Sequence, residues 1–271
     1  IPETLLALRE AGLGSLPGGG AEIFDDRVHD QAFKGKVRAD KWFEVHRTAH
    51  SLGIPSNATM LYGHLETPSE RISHLVKLRQ LQADSLAAIE ATKQQSGEAA
   101  KGAEASVASP LPPPSVASSP RRSVASPPPL PSVASSLRRS VAAFNCMIPL
   151  SFVPDRSELG HLPGPTGLTD LKTLAIARLM LHNIPHIKAF WIMQGIGLSQ
   201  LALDFGCDDL DGTVVWYDIT KRNTSNSTHQ ELHLADIHRL IRESGYTPVE
   251  RDTLYHPLRR DPQSDQLLPT A

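Results

Sequence analysis

Residues 54–79 read IPSNATMLYGHLETPSERISHLVKLR, and this stretch decides the fold. Ile54–Tyr62 reads as a strand. Thr67-Pro-Ser-Glu70 is a capping box with proline at the first helical position, so a helix starts a few residues after the strand ends. Ile72, Leu75, Val76 and Arg79 then share one helical face. The unit is strand, polar loop, helix. The same rhythm repeats outward in both directions. Upstream, a helix over Glu3–Ala11 stops at Gly12, the apolar run Leu13–Leu16 follows, and Asp40 is placed to cap a helix carrying Trp42, Val45, His46 and Ala49. Downstream, Phe144–Phe152 reads as a strand, and Thr169 caps a helix with Leu171, Leu174, Ala175 and Arg178 on one face. His186–Met193 is a further strand, Leu198–Phe205 a short helix and Leu210–Val215 a last strand, before a helix carrying Leu234, Ile237 and Ile241. Strands separated by helices mean parallel βα units, in an open doubly wound sheet or a barrel. A (β/α)₈ barrel needs eight strands, and this chain supplies five.

One segment stands outside that rhythm. Residues 94–143 consist largely of Ser, Ala, Pro, Val and Arg, and Ser106–Arg122 (SVASPLPPPSVASSPRR) recurs as Ser123–Arg139 (SVASPPPLPSVASSLRR). Such a composition buries too little apolar area to offset ordering, so a disordered insertion is expected. A Pro-rich ligand for an aromatic-lined groove is the sharper reading of the same residues. The organisation is therefore βα units over 1–93, the insertion over 94–143, βα units over 144–256 and a tail over 257–271.

Composition narrows the function. Among 271 residues, 27 basic and 29 acidic side chains leave a net charge of −2, too balanced for bulk recognition of nucleic acid or a membrane surface. Two cysteines, Cys146 and Cys207, are too few for a disulfide scaffold, a four-cysteine zinc site or an iron–sulfur cluster. No run of apolar residues is long enough to span a bilayer, and Ile1-Pro-Glu-Thr4 does not open a signal peptide, so a cytoplasmic location is expected.

In barrel-like units chemistry sits where strands end. Those positions hold Pro17-Gly-Gly-Gly-Ala-Glu22, Thr59–Glu66, Pro149–Pro154, His161–Gly167, Phe190–Met193 and Asp208–Thr213. Gly18, Gly19 and Gly20 let backbone N–H groups approach a ligand, although no P-loop Lys follows and GxGxxG is absent. Glu22 is placed to accept hydrogen bonds from ribose hydroxyls or an amino group. Asp208, Asp209 and Asp211 match no calcium loop and are read as strand-end hydrogen-bond acceptors. His46/His50 and His229/His233 have helical spacing without the Glu of a zinc-peptidase motif, which leaves them surface or packing roles. His64 and His161, on strand-end loops, are candidate polar ligands or proton donors. No metal ligands and no nucleophile elbow are assigned.

The strings LREAGLGSLPGGGAEIFDDRV (8–28), HLPGPTGLTDLKTLAIARLMLHNIPHIKAFWIM (161–193), QLALDFGCDDLDGTV (200–214) and VERDTLY (249–255) resemble aminofutalosine synthase, together with residues 46–82. That family consists of radical S-adenosylmethionine enzymes of the futalosine route to menaquinone. The resemblance implies the C-terminal five βα units of a (β/α)₈ barrel, strands 4–5 in residues 1–93 and 6–8 in 144–256. It implies S-adenosylmethionine and a [4Fe–4S] cluster as cofactors. The family's reaction adds the 5′-deoxyadenosyl group to the enolpyruvyl double bond of 3-[(1-carboxyvinyl)oxy]benzoate. A G-x-I-x-G-x-x-E element of such enzymes overlies Thr59–Glu66, which assigns Leu61, Gly63 and Glu66, with Glu22, to S-adenosylmethionine. Gly19, Gly20, His64, His161 and Trp191 are assigned to substrate. The family's Cys-x3-Cys-x2-Cys loop has no counterpart here, so residues 1–271 alone are expected to bind no cluster and a missing N-terminal half is the expected partner. Trp216–Leu234 also departs from the family pattern. Dehypoxanthine futalosine cyclase shares the PGGGAE element, and a non-catalytic nucleoside-binding or interaction half-barrel is the alternative of another class.

Overall fold

In a computed structural model of the chain, residues 1–20, 22–106, 141–155, 157–212, 232–260 and 267–269 are described. The expected insertion lies mostly outside them, as does the second half of the Leu210–Val215 strand.

The strand predicted at 54–62 forms over Ser56–Tyr62 (β1), and its neighbour is Phe144–Ser151 (β2). They pair in parallel from Ser56 opposite Phe144 to Tyr62 opposite Ser151, with a bulge between Ser56 and Asn57. His186–Ala189 (β3) pairs with β2, and Asp209–Leu210 (β4) pairs with β3, again in parallel. Leu16 bridges Ser56 on the other side, so the Leu13–Leu16 run contributes a single ladder position. The order β1-β2-β3-β4 follows the sequence. It never reverses, as a doubly wound sheet would require.

The helices precede, join and follow these strands: Pro2–Glu10 (α1), Asp26–Ala32 (α2) and Ala39–Ser51 (α3) before β1, Pro68–Ser106 (α4), Gly167–Met180 (α5), Trp191–Gln194 (α6) and Ile196–Asp204 (α7) between strands, and Leu234–Glu243 (α8) after β4. Among the described residues none is long and apolar enough to cross a membrane. The capping box opens α4 as expected: Glu70 N–H donates to Thr67 Oγ1 at 3.3 Å, and Thr67 N–H donates to Glu70 Oε2 at 2.7 Å.

Several expectations are corrected. Helix α3 starts after Arg38, with Asp40 in its first turn and not at its cap. Thr166, three residues before Thr169, caps α5 by accepting the Thr169 N–H. The strand begun at His186 ends at Ala189, because Phe190 turns the chain into α6. Helix α4 continues through 94–106, where composition predicts the start of an insertion. Its Ala, Glu, Lys and Gln content favours helix despite its low complexity. The expected tail pairs too: Glu250–Arg251 (β5), Pro257–Arg260 (β6) and Leu267–Pro269 (β7) form an antiparallel sheet.

Alternate residues of each strand point to opposite faces. Ala58, Met60 and Tyr62 join Met147, Ile187 and Ala189 against Leu75, Leu78, Leu81, Leu174 and Ala177 of the helices, all buried. The α4 stripe is rotated from the predicted one: Val76 is exposed, and the polar His74 and Gln82 are buried in its place. Each has its partners. His74 Nδ1 accepts the Phe24 N–H while its Nε2–H donates to Thr59 O, and Gln82 exchanges hydrogen bonds with the Phe144 backbone.

A second buried polar chain locks α3 to β1 and α4. The Ser85 hydroxyl donates to Leu81 O, so it accepts from His50 Nδ1–H at 2.8 Å. His50 Nε2 must then accept from Ser56 Oγ–H at 2.8 Å, and Ser56 Oγ accepts from His46 Nδ1–H at 2.9 Å. Both histidines are neutral in this arrangement. The helical His46/His50 spacing thus serves packing.

Burial pushes His46 and His74 down to about 3 and His50 down to about 4. Below about pH 6.5 the unfolded chain binds protons that the folded chain refuses. The stability these rings allow is full above that pH and falls on acidification, by up to about 1.4 kcal/mol per histidine per pH unit. Urea midpoints measured from pH 7.5 to pH 5 should therefore drop steadily. A flat profile over that range would contradict the neutral, buried assignment.

Candidate functional site at the strand ends

The loops after the strands gather on one rim. Gly18 is pressed against β1, where an added Cβ would collide with Asn57 O. Its carbonyl accepts from Thr59 Oγ1–H at 2.7 Å and from Trp42 Nε1–H at 3.4 Å. Gly19 and Gly20 have nothing within 4 Å of where a Cβ would stand, and Gly20 has φ +83°. The triplet therefore divides: one glycine seats the loop and two face open space. Glu22 follows with a left-handed backbone, φ +40°. Its carbonyl accepts the Leu61 N–H at 3.0 Å, and its carboxylate lies 3.6 Å from Lys36 Nζ. A non-glycine residue in that region persists only where its surroundings hold it.

The loop after β1 is built around Glu66, whose side chain is fully buried. Oε1 accepts the Gly63 N–H at 2.6 Å and Oε2 the His64 N–H at 2.9 Å, while Arg71 Nη2 sits 2.5 Å from Oε1. Both oxygens are therefore engaged in shaping the turn. His64 is buried in the same loop: its Nε2–H donates to Leu61 O and its Nδ1 accepts the Leu65 N–H. Burial lowers its pKa, so no proton bridges the 3.3 Å gap to Glu66. Gly63, at φ +90°, lets Pro165 of the next loop come within 2.7 Å of where a Cβ would stand. Leu61 is half-buried, on the strand face turned away from the helices.

A polar clamp ties this loop to its neighbours. Tyr62 OH and Ser151 OH both donate to Asp170 Oδ1, at 2.7 and 2.9 Å, and Gln194 Nε2 stands 3.5 Å from the Tyr62 oxygen. Burial and the Asp170 carboxylate raise the Tyr62 phenol well above its ordinary range, which keeps it a donor. Arg71 lies over the Tyr62 ring and donates to Thr173 Oγ1. The ends of β1, β2 and α6 and the starts of α4 and α5 are joined in one network. Sequence reasoning misses Tyr62, Arg71, Ser151 and Asp170, because a buried polar residue on a strand or helix leaves no periodic mark of its distant partner.

The remaining assigned residues lie apart. His161 is exposed in a turn. Trp191 is buried at the start of α6, and its indole N–H donates to Asp211 O at 3.1 Å. Asp208, expected at a strand end, sits just before β4, where it takes the Ile187 N–H at 2.8 Å and Arg178 Nη2–H at 2.8 Å near the starts of β3 and β4.

The residues present do not fit an iron–sulfur cluster. Cys146 and Cys207 are both buried, and burial pushes each thiol up to about 12, far from the thiolate a cluster needs. Among the described residues, no group of His, Cys, Asp or Glu is arranged to hold a metal ion.

Residues 142–264 match the family model described as the CofH/MqnC C-terminal region. Over those residues the chain carries the C-terminal region of that family. It is 38% identical to the aminodeoxyfutalosine synthase of Thermus thermophilus over 261 residues, which is 95% of this chain and 55% of that protein. To the aminodeoxyfutalosine synthase of Streptomyces coelicolor it is 33% identical, over 93% of this chain and 53% of that one. It is also 31% identical to the 5-amino-6-(D-ribitylamino)uracil–L-tyrosine 4-hydroxyphenyl transferase of Methanopyrus kandleri, over 96% and 56% of the two chains. The chain thus spans about half the length of the curated relatives it matches.

Two substitutions separate scaffold from open site. Gly18→Ala should cost about 1–3 kcal/mol by forcing β1 and the loop apart, whereas Gly19→Ala should stay within about 0.5 kcal/mol. Thermal unfolding compares them, and equal losses would contradict the division of the triplet. Glu66→Ala should destabilise by about 3–5 kcal/mol, since it strands Arg71 and two backbone donors. An unchanged midpoint would release Glu66 from the scaffold.

Proposed function

We propose that this chain is the adenosyl- and substrate-facing part of an aminofutalosine synthase. The reaction is transfer of the 5′-deoxyadenosyl group of S-adenosylmethionine to 3-[(1-carboxyvinyl)oxy]benzoate, in menaquinone biosynthesis. The observation that carries this reading is the 38% identity to a synthase over 95% of the chain. The parallel, sequence-ordered strands with their loops on one rim support it, as part of a (β/α)₈ barrel.

S-adenosylmethionine supplies the group that is transferred. The chain supplies a binding surface for it. Gly19 and Gly20 leave room for close backbone approach, and half-buried Leu61 offers an apolar face to the adenine. Glu22, held close to Leu61 by the backbone bond, takes the ribose or amino-acid side. Glu66 and Gly63 act by fixing the loop that carries Leu61. Trp191 bounds the side of the benzoate ether and His161 lies on the rim loop that would cover it. The clamp around Asp170 keeps these loops in place and water out.

The cluster belongs to a segment bearing the family's Cys-x3-Cys-x2-Cys loop, completing the barrel against the strand edges of this chain. We place the assembly in the cytoplasm, where two free thiols remain reduced. Reconstituted anaerobically with such a segment, iron and sulfide, the chain should convert the enolpyruvyl ether and S-adenosylmethionine to aminofutalosine. Residues 1–271 alone should give none. Turnover of dehypoxanthine futalosine instead would reassign the chain to the cyclase, and turnover without the added segment would overturn the division of roles.

A further inference from the structure

The face of the sheet turned away from the helices is covered at the strand starts by residues distant in sequence. Arg251 gives Asp209 three hydrogen bonds, from Nε at 3.2 Å and from Nη2 at 2.9 Å to each oxygen. The Tyr255 hydroxyl donates to Asp209 Oδ2 at 2.9 Å. The Tyr255 ring stacks on His186, with centroids 4.3 Å apart and planes at 13°, and Arg251 lies over it at 4.1 Å. Wholly buried Cys146, paired in register with His186, sits beside the Tyr255 hydroxyl.

Two features show how the segment is fastened. Tyr255 has φ +67°, a strained backbone for a bulky residue. A turn imposes it: Asp252 Oδ1 accepts the Leu254 and His256 N–H groups at 2.8 and 2.9 Å, and Asp252 N–H donates to His256 O at 3.0 Å. The attachment is polar: Asp209 holds Arg251 and Tyr255, and Glu250 lies 3.5 Å from His238 of α8, whereas the helical face of the sheet is fastened by a continuous apolar core. From Asp209 the contacts continue to Lys188 Nζ at 3.6 Å, then to Asp211 Oδ1 at 2.7 Å, whose backbone oxygen receives the Trp191 indole. Burial alone would lower the Lys188 pKa, but Asp209 and Asp211 hold it above the usual value and charged.

We infer that residues 250–256 form a strap, latched to Asp209 by Arg251 and Tyr255, that opens locally without unfolding the sheet. Shut, it closes the strand-start end of this face over Cys146 and holds Lys188, Asp211 and Trp191 in position. Its value in keeping water from the proposed chemistry rests on the function proposed above, but the latch itself does not. Segments fastened by few apolar contacts open at lower free energy than the core.

Alkylation of Cys146 in the full chain, with Cys207→Ala so that one thiol reports, tests this independently of activity. Under native conditions the labelling rate should be nearly independent of low urea concentrations, the mark of local opening. Asp252→Ala, which touches only the turn, and Tyr255→Ala should each raise that rate at least tenfold while far-ultraviolet dichroism is retained. A rate that climbs with urea at the full slope of global unfolding would overturn the strap. So would folded variants that label no faster. Should a variant misfold, the urea dependence of the Cys207→Ala chain still decides.

Discussion

Parallel pairing of β1 and β2 is the constraint from which the rest of the molecule follows. Parallel neighbours cannot be joined by a tight turn, so β1, β2 and β3 are each followed by helix that returns the chain to the starting end. The four strands β1–β4 then finish on the same side. This brings the loops at Gly18–Glu22, Leu61–Glu66 and Phe152–Thr166 together although 148 positions separate their extremes, Gly18 and Thr166. The long register from Ser56 to Tyr62 also decides faces: Ala58, Met60 and Tyr62 meet the helices, which leaves Asn57, Thr59 and Leu61 for the other side.

Proximity alone would leave the loops loose. Buried polar groups fix them: Asp170 draws Tyr62 and Ser151 together, Glu66 organises a turn from two backbone amides and Arg71, and Gly18 accepts from Thr59 and Trp42. In a low-dielectric interior such bonds are strong when satisfied and costly when not, so each loop has little freedom to sample other positions. The outcome is a rim whose shape is set by residues pointing away from it, with Gly19 and Gly20 beside open space and Leu61 half-buried on the face turned from the helices.

Much of this is legible in the sequence because its signals are local. The capping box at Thr67–Glu70 marks a helix start whatever the tertiary context, and the strand-end strings with their Gly and Pro content mark loops. What escapes reading is non-local. Nothing in Pro68–Arg79 shows that His74 and not Val76 faces the core, because the reason lies in the Phe24 and Thr59 backbone groups that His74 satisfies. Glu66 looks like a ligand-binding carboxylate from its motif, and its partners in space are two amides of its own loop and Arg71 of α4. The Asp209–Arg251–Tyr255 contacts join positions 42 or more apart and have no sequence signature. Low complexity misleads in the opposite sense at 94–106, where good helix formers continue α4.

The central claim is that the strand-end rim, and not the cavity of about 420 Å³ between β4, α8 and β5, receives the adenosyl group. Hydrogen–deuterium exchange of the full chain, with and without saturating S-adenosylmethionine, tests it most directly. The account predicts added protection in Gly18–Glu22 and Leu61–Glu66, with Asp208–Gly212 and Leu234–Ile241 unchanged. Protection confined to the latter segments, or none at the rim, would contradict it.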